Sequence, residues 1–370
     1  MPKPQVVVLC PNVANNILNR SRVLWHLLSR DFDVTIVGPD FGKGIWPSLA
    51  NEGLPLRVIP GRRPGLYRLP DELRPDLIYA QMPRWSSLAV GVVEASRLRV
   101  PLLLDCDDVV RFDKLPRPGV ALDTLLYSLL IPVRSITATG PVLQRFLGAE
   151  LIVPHARDAH VFDPARYDAA EARHAYGLSG VKSILFVGTP RNHKGLPEAA
   201  RAVADLPDDA ARLVFIDLSR DGSFTRQLDA LAPGRVIGLP RVPFAEVPRL
   251  LAAADCVVLP QRPNLLARFQ APMKLFDALA MGRPIVASAV GDIPWALGQA
   301  GLLYKPGDHR ALQQLLTDVL RDENLARTLS ARARTRFLKH FSLEAVRPAL
   351  GSLLWQSLGS SQPQTIKTLG

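Results

Sequence analysis

The stretch FVGTPRNHKGLPEAARAV, residues 186–203, runs off a β-branched segment through Gly188 and into a helical pattern after Gly195, with Arg191 and Lys194 beside the turn. Amides at a helix N-terminus, flanked by cations, bind phosphate groups, so the loop is a candidate diphosphate site. A solvated turn whose Arg, His and Lys face water is the alternative. In QAPMKLFDALAMGRPIVAS, residues 270–288, Pro272 suits a first helical turn and Gly282 with Pro284 ends it; apart from Lys274 and Asp277 the helix is apolar nearly all round. An exposed Lys274 to Asp277 pair would be worth roughly 0.2–0.5 kcal/mol. An unpaired carboxylate on so buried a helix would cost far more, so Asp277 should meet ligand hydroxyls, a cation or backbone amides, and it is read as a ligand-facing acceptor.

Three further groups could do chemistry. Asp105, Asp107 and Asp108 close an apolar strand in DCDDVVRFD and suit a general base, a metal or sugar hydroxyls, or else cap a turn. Asn12, Asn15 and Asn16 follow the first strand, where they could grip an acceptor or form turns. His155 and His160, five residues apart in VPHARDAHVFDP with no third ligand near, make no metal site and read as cleft-edge or linker residues.

The elements that must position these residues come in two series. Short β-branched runs alternate with helical patterns, first as QVVVLCP, DVTIVGP, LRVIP, LIYAQM, PLLLDCDD, SITATG and ELIVPHA. After a polar, Ala-rich stretch the rhythm restarts with SILFVGT, ARLVFIDLS, GRVIGLP, CVVLPQ, PIVASAV and GLLYKP. Strands alternating with helices imply parallel sheets, and open sheets of this kind bind ligands beyond the carboxyl ends of their strands. The class is therefore α/β with two Rossmann-like domains, residues 1–157 and 183–340, joined by a linker at 158–182. A helix at 341–358 is expected to cross back to the first domain, ahead of a flexible tail at 359–370. Three helices are expected from Asp308 to about Leu358, with Phe341 and Ser342 as the break between the last two.

Composition bounds the function. The 370 residues are 48% apolar and 21% charged, and no apolar run reaches the roughly 18 to 20 residues of a membrane span. The start, MPKPQVVVLCPN, reads as a first strand rather than a signal peptide, so a cytoplasmic location is expected. Cys10, Cys106 and Cys256 sit singly in apolar runs and should be small buried hydrophobes. The net charge of +11 calls for an acidic partner. Residues 1–170 hold 20 basic against 17 acidic side chains, so most of the excess lies in the later half, where phosphate is to be sought. No aromatic-interleaved basic stretch or zinc-finger spacing is present, and no nucleic acid partner is expected.

In this order and spacing the segments resemble the retaining glycosyltransferases of family 4, whose GT-B fold has two facing Rossmann-like domains. FVGTPRNHKG is similar to that family's strand, glycine loop and helix start; APMKLFDALAMGRPIVASAVGDIPWAL with GLLYKPGD is similar to its donor-binding helix, next strand and Gly-rich loop. VPHARDAHVFDP resembles the segment before the second domain. The resemblance implies that Lys194 contacts a donor diphosphate and that Asp277 replaces the glutamate holding the nucleotide ribose. It places Gly188, Thr189, Met273 and Lys274 near the phosphates, and Ala289, Val290 and Gly291 toward the base and sugar. The sequence departs from the family at Phe269, where a first acid is frequent, and at Thr189, where an arginine is frequent. It departs again at His155 and Ala156, in place of an asparagine–glycine pair.

The function so implied is metal-independent transfer of a hexose from a nucleotide-diphosphate sugar to an acceptor hydroxyl with retention, in polysaccharide or glycoconjugate biosynthesis. The nucleotide sugar is a substrate, and no cofactor or metal is expected. Lys194 and Arg191 would stabilise the departing diphosphate; Asp277, Asp107 and Asp108 are further catalytic candidates, and Asn15 and Asn16 candidates for the acceptor, a sugar, lipid-linked or small molecule. The alternatives are a sugar-nucleotide epimerase or a phosphorylase on the same fold, or a non-catalytic GT-B scaffold protein of polysaccharide assembly. Arg62, Arg63 and Arg68 with VALDTLLYSLLIPV could dock on the inner face of an anionic bilayer as a peripheral contact, the other reading of that stretch being a core helix.

Overall fold

The computed structural model describes residues 2–62, 65–108, 133–188, 190, 194–219 and 221–359. Two compact units emerge: Met1–Pro154 with Leu343–Gly370, and His155–Ser342.

Each β-branched run read from the sequence holds a strand. In the first unit these are β1 Gln5–Leu9, β2 Asp33–Asp40, β3 Leu56–Pro60, β4 Leu77–Gln81, β5 Leu102–Cys106, β6 Ser135–Ala138 and β7 Leu151–Ile152. They form one sheet in the order β3-β2-β1-β4-β5-β6-β7, every pairing parallel. Central strands such as β4 and β5 are buried along their whole length, which is why they read as unbroken apolar runs. Leu56–Pro60 lies at the sheet edge with three residues exposed, and its terminal proline suits an edge strand, where a ladder donor is dispensable.

The second unit repeats the plan with β8 Lys182–Phe186, β9 Ala211–Ile216, β10 Val236–Leu239, β11 Cys256–Leu259, β12 Ile285–Ser288 and β13 Leu302–Tyr304. Their order is β10-β9-β8-β11-β12-β13, again parallel. Strand order reverses at β1 in one sheet and at β8 in the other, and such reversal points open a crevice at the carboxyl ends of the strands. Ile184, Phe186, Leu213 and Phe215 of the second sheet pack with Leu196 and Leu312 of flanking helices in one buried core.

Residues 158–182, expected as a linker, are instead a packed part of the second unit. Asp168 caps a helix at Ala169–Ala175 by accepting from the Glu171 amide at 2.7 Å, and Arg173 pairs with Asp255 at 2.5 Å. The polarity that suggested a solvated connection is spent on a cap and ion pairs.

The three helices expected near the C-terminus are His309–Arg321, Glu323–His340 and Leu343–Ser357, with Phe341 and Ser342 between the last two. The first two start at side-chain caps from Asp308 and Asp322. The third groups with the first unit, where Arg347 donates to the Leu27 and His26 carbonyls at 3.2 and 3.3 Å and Trp355 meets Phe32. Cys10, Cys106 and Cys256 are free and buried; burial pushes the thiols of Cys10 and Cys256 up to about 11 and about 12, so they stay protonated. No helix among the described residues is long and apolar enough to cross a membrane. The stretch VALDTLLYSLLIPV lies outside the described residues up to Pro132, and so does Arg63, whereas Arg62 and Arg68 are exposed.

Candidate functional site

Loop ends of the second unit converge where its strand order reverses. After β8 the chain passes Gly188, and Lys194 and Gly195 lead into the helix Leu196–Ala204. Lys194 Nζ donates to Gln261 Oε1 at 3.1 Å, just beyond β11, and to Gln270 Oε1 at 3.2 Å, just before the helix Met273–Ala280. Gly195 lets this approach occur: its φ is +70°, and a Cβ there would stand 1.7 Å from the Pro260 carbonyl oxygen. The end of β12 closes on the same loops, with Ser288 Oγ donating to the Gln261 carbonyl at 2.7 Å.

Lys274 projects from the first turn of Met273–Ala280 toward the β8 loop. Its Nζ lies 5.0 Å from the Phe186 ring centroid, and a Cβ built on Gly188 would be 2.4 Å from it. The lysine end crosses Gly188, whose φ of +133° is a backbone conformation that favours glycine. The first turn of this helix holds no acidic side chain, and Pro272 caps it without a side-chain bond. The positive end of the peptide dipoles and two ammonium groups therefore belong to one cluster of loops, an arrangement suited to bound phosphate. Met273 is half-buried beside Lys274; Val290 is buried, and Gly291 turns against the Ala267 carbonyl. Thr189 and Arg191 lie outside the described residues.

Asp277, one turn further along, has the cation its burial demanded. Arg157 Nε donates to Asp277 Oδ1 at 2.5 Å, with the arginine side chain 1% and the aspartate side chain 7% exposed. The simple surface pair with Lys274 is not the partner that satisfies it. Nothing in the sequence linked Arg157 to Asp277 across 120 positions, and Gln261 and Gln270 were missed likewise. The signal available for all three was position alone: each sits just after a strand or just before a buried helix. His155, read as a cleft-edge or linker residue, is buried edge-on to Phe276 with centroids 5.8 Å apart, while His160 is exposed.

In the first unit Asp105 is structural. Arg20 Nε and Nη2 clasp its two oxygens at 2.8 and 2.7 Å, and Thr137 Oγ1 donates to Oδ1 at 2.8 Å. The same guanidinium donates to the Val153 and Pro154 carbonyls at 2.8 and 3.1 Å, so the fully buried pair ties the helix Leu18–Leu28, β5 and the end of β7 together. Asp107 differs: burial first, then the charge of Asp105, pushes its carboxyl up to about 7, against the lowering effect of Arg20. Its Oδ1 is closed from solvent with no hydrogen bond among the described residues. Asp108 follows, half-buried. Asn15 serves the backbone, its Oδ1 accepting from the Ile17 amide at 3.0 Å, and Asn16 is exposed. Asn12 does the same for Ala14 at 2.8 Å.

Residues 181–322 match the family model described as Glycosyl transferases group 1. The chain is 28% identical over 277 residues to a D-inositol 3-phosphate glycosyltransferase of Xylanimonas cellulosilytica, a match covering 68% of this chain and 65% of the relative. It is 40% identical over 65 residues to a trehalose phosphorylase of Grifola frondosa, covering 17% of this chain and 9% of that one. The chain thus spans less than two thirds of the length of either curated relative. Among solved structures it resembles Anabaena HepE in complex with UDP and glucose, with a TM-score of 0.75, 16% identity and coverage of 95% of this chain and 100% of that chain. The fold is GT-B, built from two parallel-sheet Rossmann-like units.

Proposed function

We propose that this chain, with a group 1 glycosyl transferase domain over residues 181–322, moves a hexose from a nucleotide-diphosphate sugar to an acceptor hydroxyl. The observation that carries the reading is the convergence of Lys194 and Lys274 on the loop after β8 and on the N-terminal turn of Met273–Ala280. Transfer requires stabilisation of a departing diphosphate and of an oxocarbenium-like centre. Two ammonium groups and oriented amides supply a fixed positive field where that negative charge develops. Asp277, one turn below, takes ribose hydroxyls, in keeping with the UDP bound in the structurally similar HepE.

The reaction is read as retaining and metal-independent, in the manner of family 4, because lysines and amides occupy the role a divalent cation fills elsewhere and the leaving phosphate oxygen can accept the acceptor's proton. Arg191 joins Lys194 in this role, and Thr189, Val290 and Gly291 line the donor. Asp107 and Asp108, with Asn16, are assigned to the acceptor side, where a group titrating near pH 7 can share a proton with a hydroxyl. The acceptor is a sugar, a small molecule or a lipid-linked glycan, and in the last case exposed Arg62 and Arg68 lie against the inner face of an anionic bilayer.

Incubation with UDP-, GDP-, ADP- and TDP-linked hexoses and a panel of acceptors tests the proposal. One donor should be consumed, with the anomeric configuration kept in the product by NMR; inversion or no turnover of any donor contradicts it. The match to a trehalose phosphorylase favours one second reading, in which a sugar phosphate forms only when free phosphate is supplied.

A further inference from the structure

The second unit carries a buried ion pair built differently from the one in the first. Arg20 and Asp105 form a closed fork, both carboxylate oxygens engaged. Arg157 and Asp277 meet through Nε and Oδ1 alone. Arg157 Nη1 donates to the Ala156 carbonyl at 3.0 Å, and Nη2 is buried with no hydrogen bond among the described residues. Asp277 Oδ2 accepts none from those residues either. A pair serving only stability gains most by closing its fork, since a buried donor left unmet keeps its desolvation penalty.

The arginine itself is held firmly. Its backbone amide donates to the Phe341 carbonyl at 3.0 Å and it bridges Ser342, joining the two segments by which the chain enters and leaves this unit. Its guanidinium carbon lies 5.9 Å from the Phe162 ring centroid and 5.7 Å from that of Phe244, so ring faces as well as hydrogen bonds fix its place. The carboxylate it grips therefore has one oxygen committed to a rigid partner and the other available.

We infer that Arg157 is a positioning residue: by holding Asp277 through one oxygen it presents the other to a ribose hydroxyl, and so sets the selectivity of the site for ribonucleotides. This rests on the reading of Asp277 as the ribose acceptor. Arg157 touches neither phosphate nor the transferred sugar in this account, so its loss acts on nucleotide recognition rather than on the transfer step.

The test is calorimetric binding of UDP, GDP and ADP and of their 2′-deoxy forms to the whole chain, wild type and the variants Arg157→Met, Arg157→Lys and Asp277→Asn, with melting curves for each. The wild type should prefer the ribonucleotide about tenfold, the worth of one hydroxyl contact. Arg157→Met should bring that ratio close to one while a donor sugar's kcat stays within about threefold of wild type and KM rises. Arg157→Lys, which keeps the charge, should retain part of the preference. If the methionine variant does not fold, Arg157→Gln carries the same comparison. A wild-type ratio in Arg157→Met alongside a lost ratio in Asp277→Asn overturns the inference and leaves the Asp277 reading standing. A wild-type ratio in Asp277→Asn removes that reading and the inference together, as does failure of all three nucleotides to bind.

Discussion

Replacing Gly188 by alanine should disarm the phosphate site without unfolding the protein. A Cβ at this position would lie 2.4 Å from Lys274 Nζ and 2.6 Å from its Cε, whereas ordinary contacts begin near 3.4 Å. The ammonium must therefore retreat by about 1 Å, and because a lysine end is flexible the side chain moves rather than the backbone. The remaining penalty is the strained φ of +133°, about 1–3 kcal/mol, which for a domain of this size lowers Tm by about 2–4 °C per kcal/mol. Losing one hydrogen bond between an ammonium and a phosphate forfeits about 1.5–3 kcal/mol, or about 10–150-fold in Kd. Calorimetry with the accepted nucleotide sugar measures the loss, and differential scanning fluorimetry the fold. Lys274→Met should weaken binding to the same degree, and the double variant should be no worse than either single one. Wild-type affinity in Gly188→Ala, with the melting curve lowered, would refute the placement of Lys274 on the phosphates.

Lys194→Ala removes the link to Gln261 and Gln270 and should weaken donor binding by a similar 10–150-fold with Tm nearly unchanged, as read by titration calorimetry. Asp105→Asn leaves the Arg20 guanidinium buried without its counter-charge and should cost about 3–5 kcal/mol in urea unfolding; a shift under 1 kcal/mol would mean the pair is not structural. The carboxyl of Asp107, raised from 3.8 to about 7, binds a proton in the native state that the unfolded state has released, so its stabilising contribution is full below about pH 4 and is lost as pH rises through 7. Asp107→Asn should flatten that decline in unfolding curves taken between pH 5 and 8, and should also remove a kinetic limb near pH 7 if the carboxyl exchanges a proton with the acceptor.

Strands and their grouping into two sheets were legible because parallel strands covered on both faces must be apolar residue after residue, as in the LIYAQ of β4 and the CVVL of β11. The helix starting at Pro272 was legible from its proline and its lack of charge, and its burial correctly demanded a partner for Asp277. Which partner was not legible. Arg157 and Asp277 stand 120 positions apart, and Arg20 and Asp105 stand 85 apart, so only the folded topology brings each pair together. Local polarity misled at 158–182, where acids and arginines that could equally have faced water instead cap a helix and pair with Asp255 and Arg249. Asparagines after β1 looked adaptable, but Asn12 and Asn15 have short side chains that reach their own backbone first.

The central claim is that the loops after β8 and before Met273–Ala280 hold the diphosphate of a nucleotide sugar. Its most direct test is calorimetric titration of the whole chain, with EDTA present, using UDP-, GDP-, ADP- and TDP-glucose and the matching nucleosides. One nucleotide sugar should bind, its nucleoside should bind far more weakly, and Lys194→Ala should abolish most of the difference. Equal affinity for nucleoside and nucleotide sugar, or no binding by any of the four, would contradict the account.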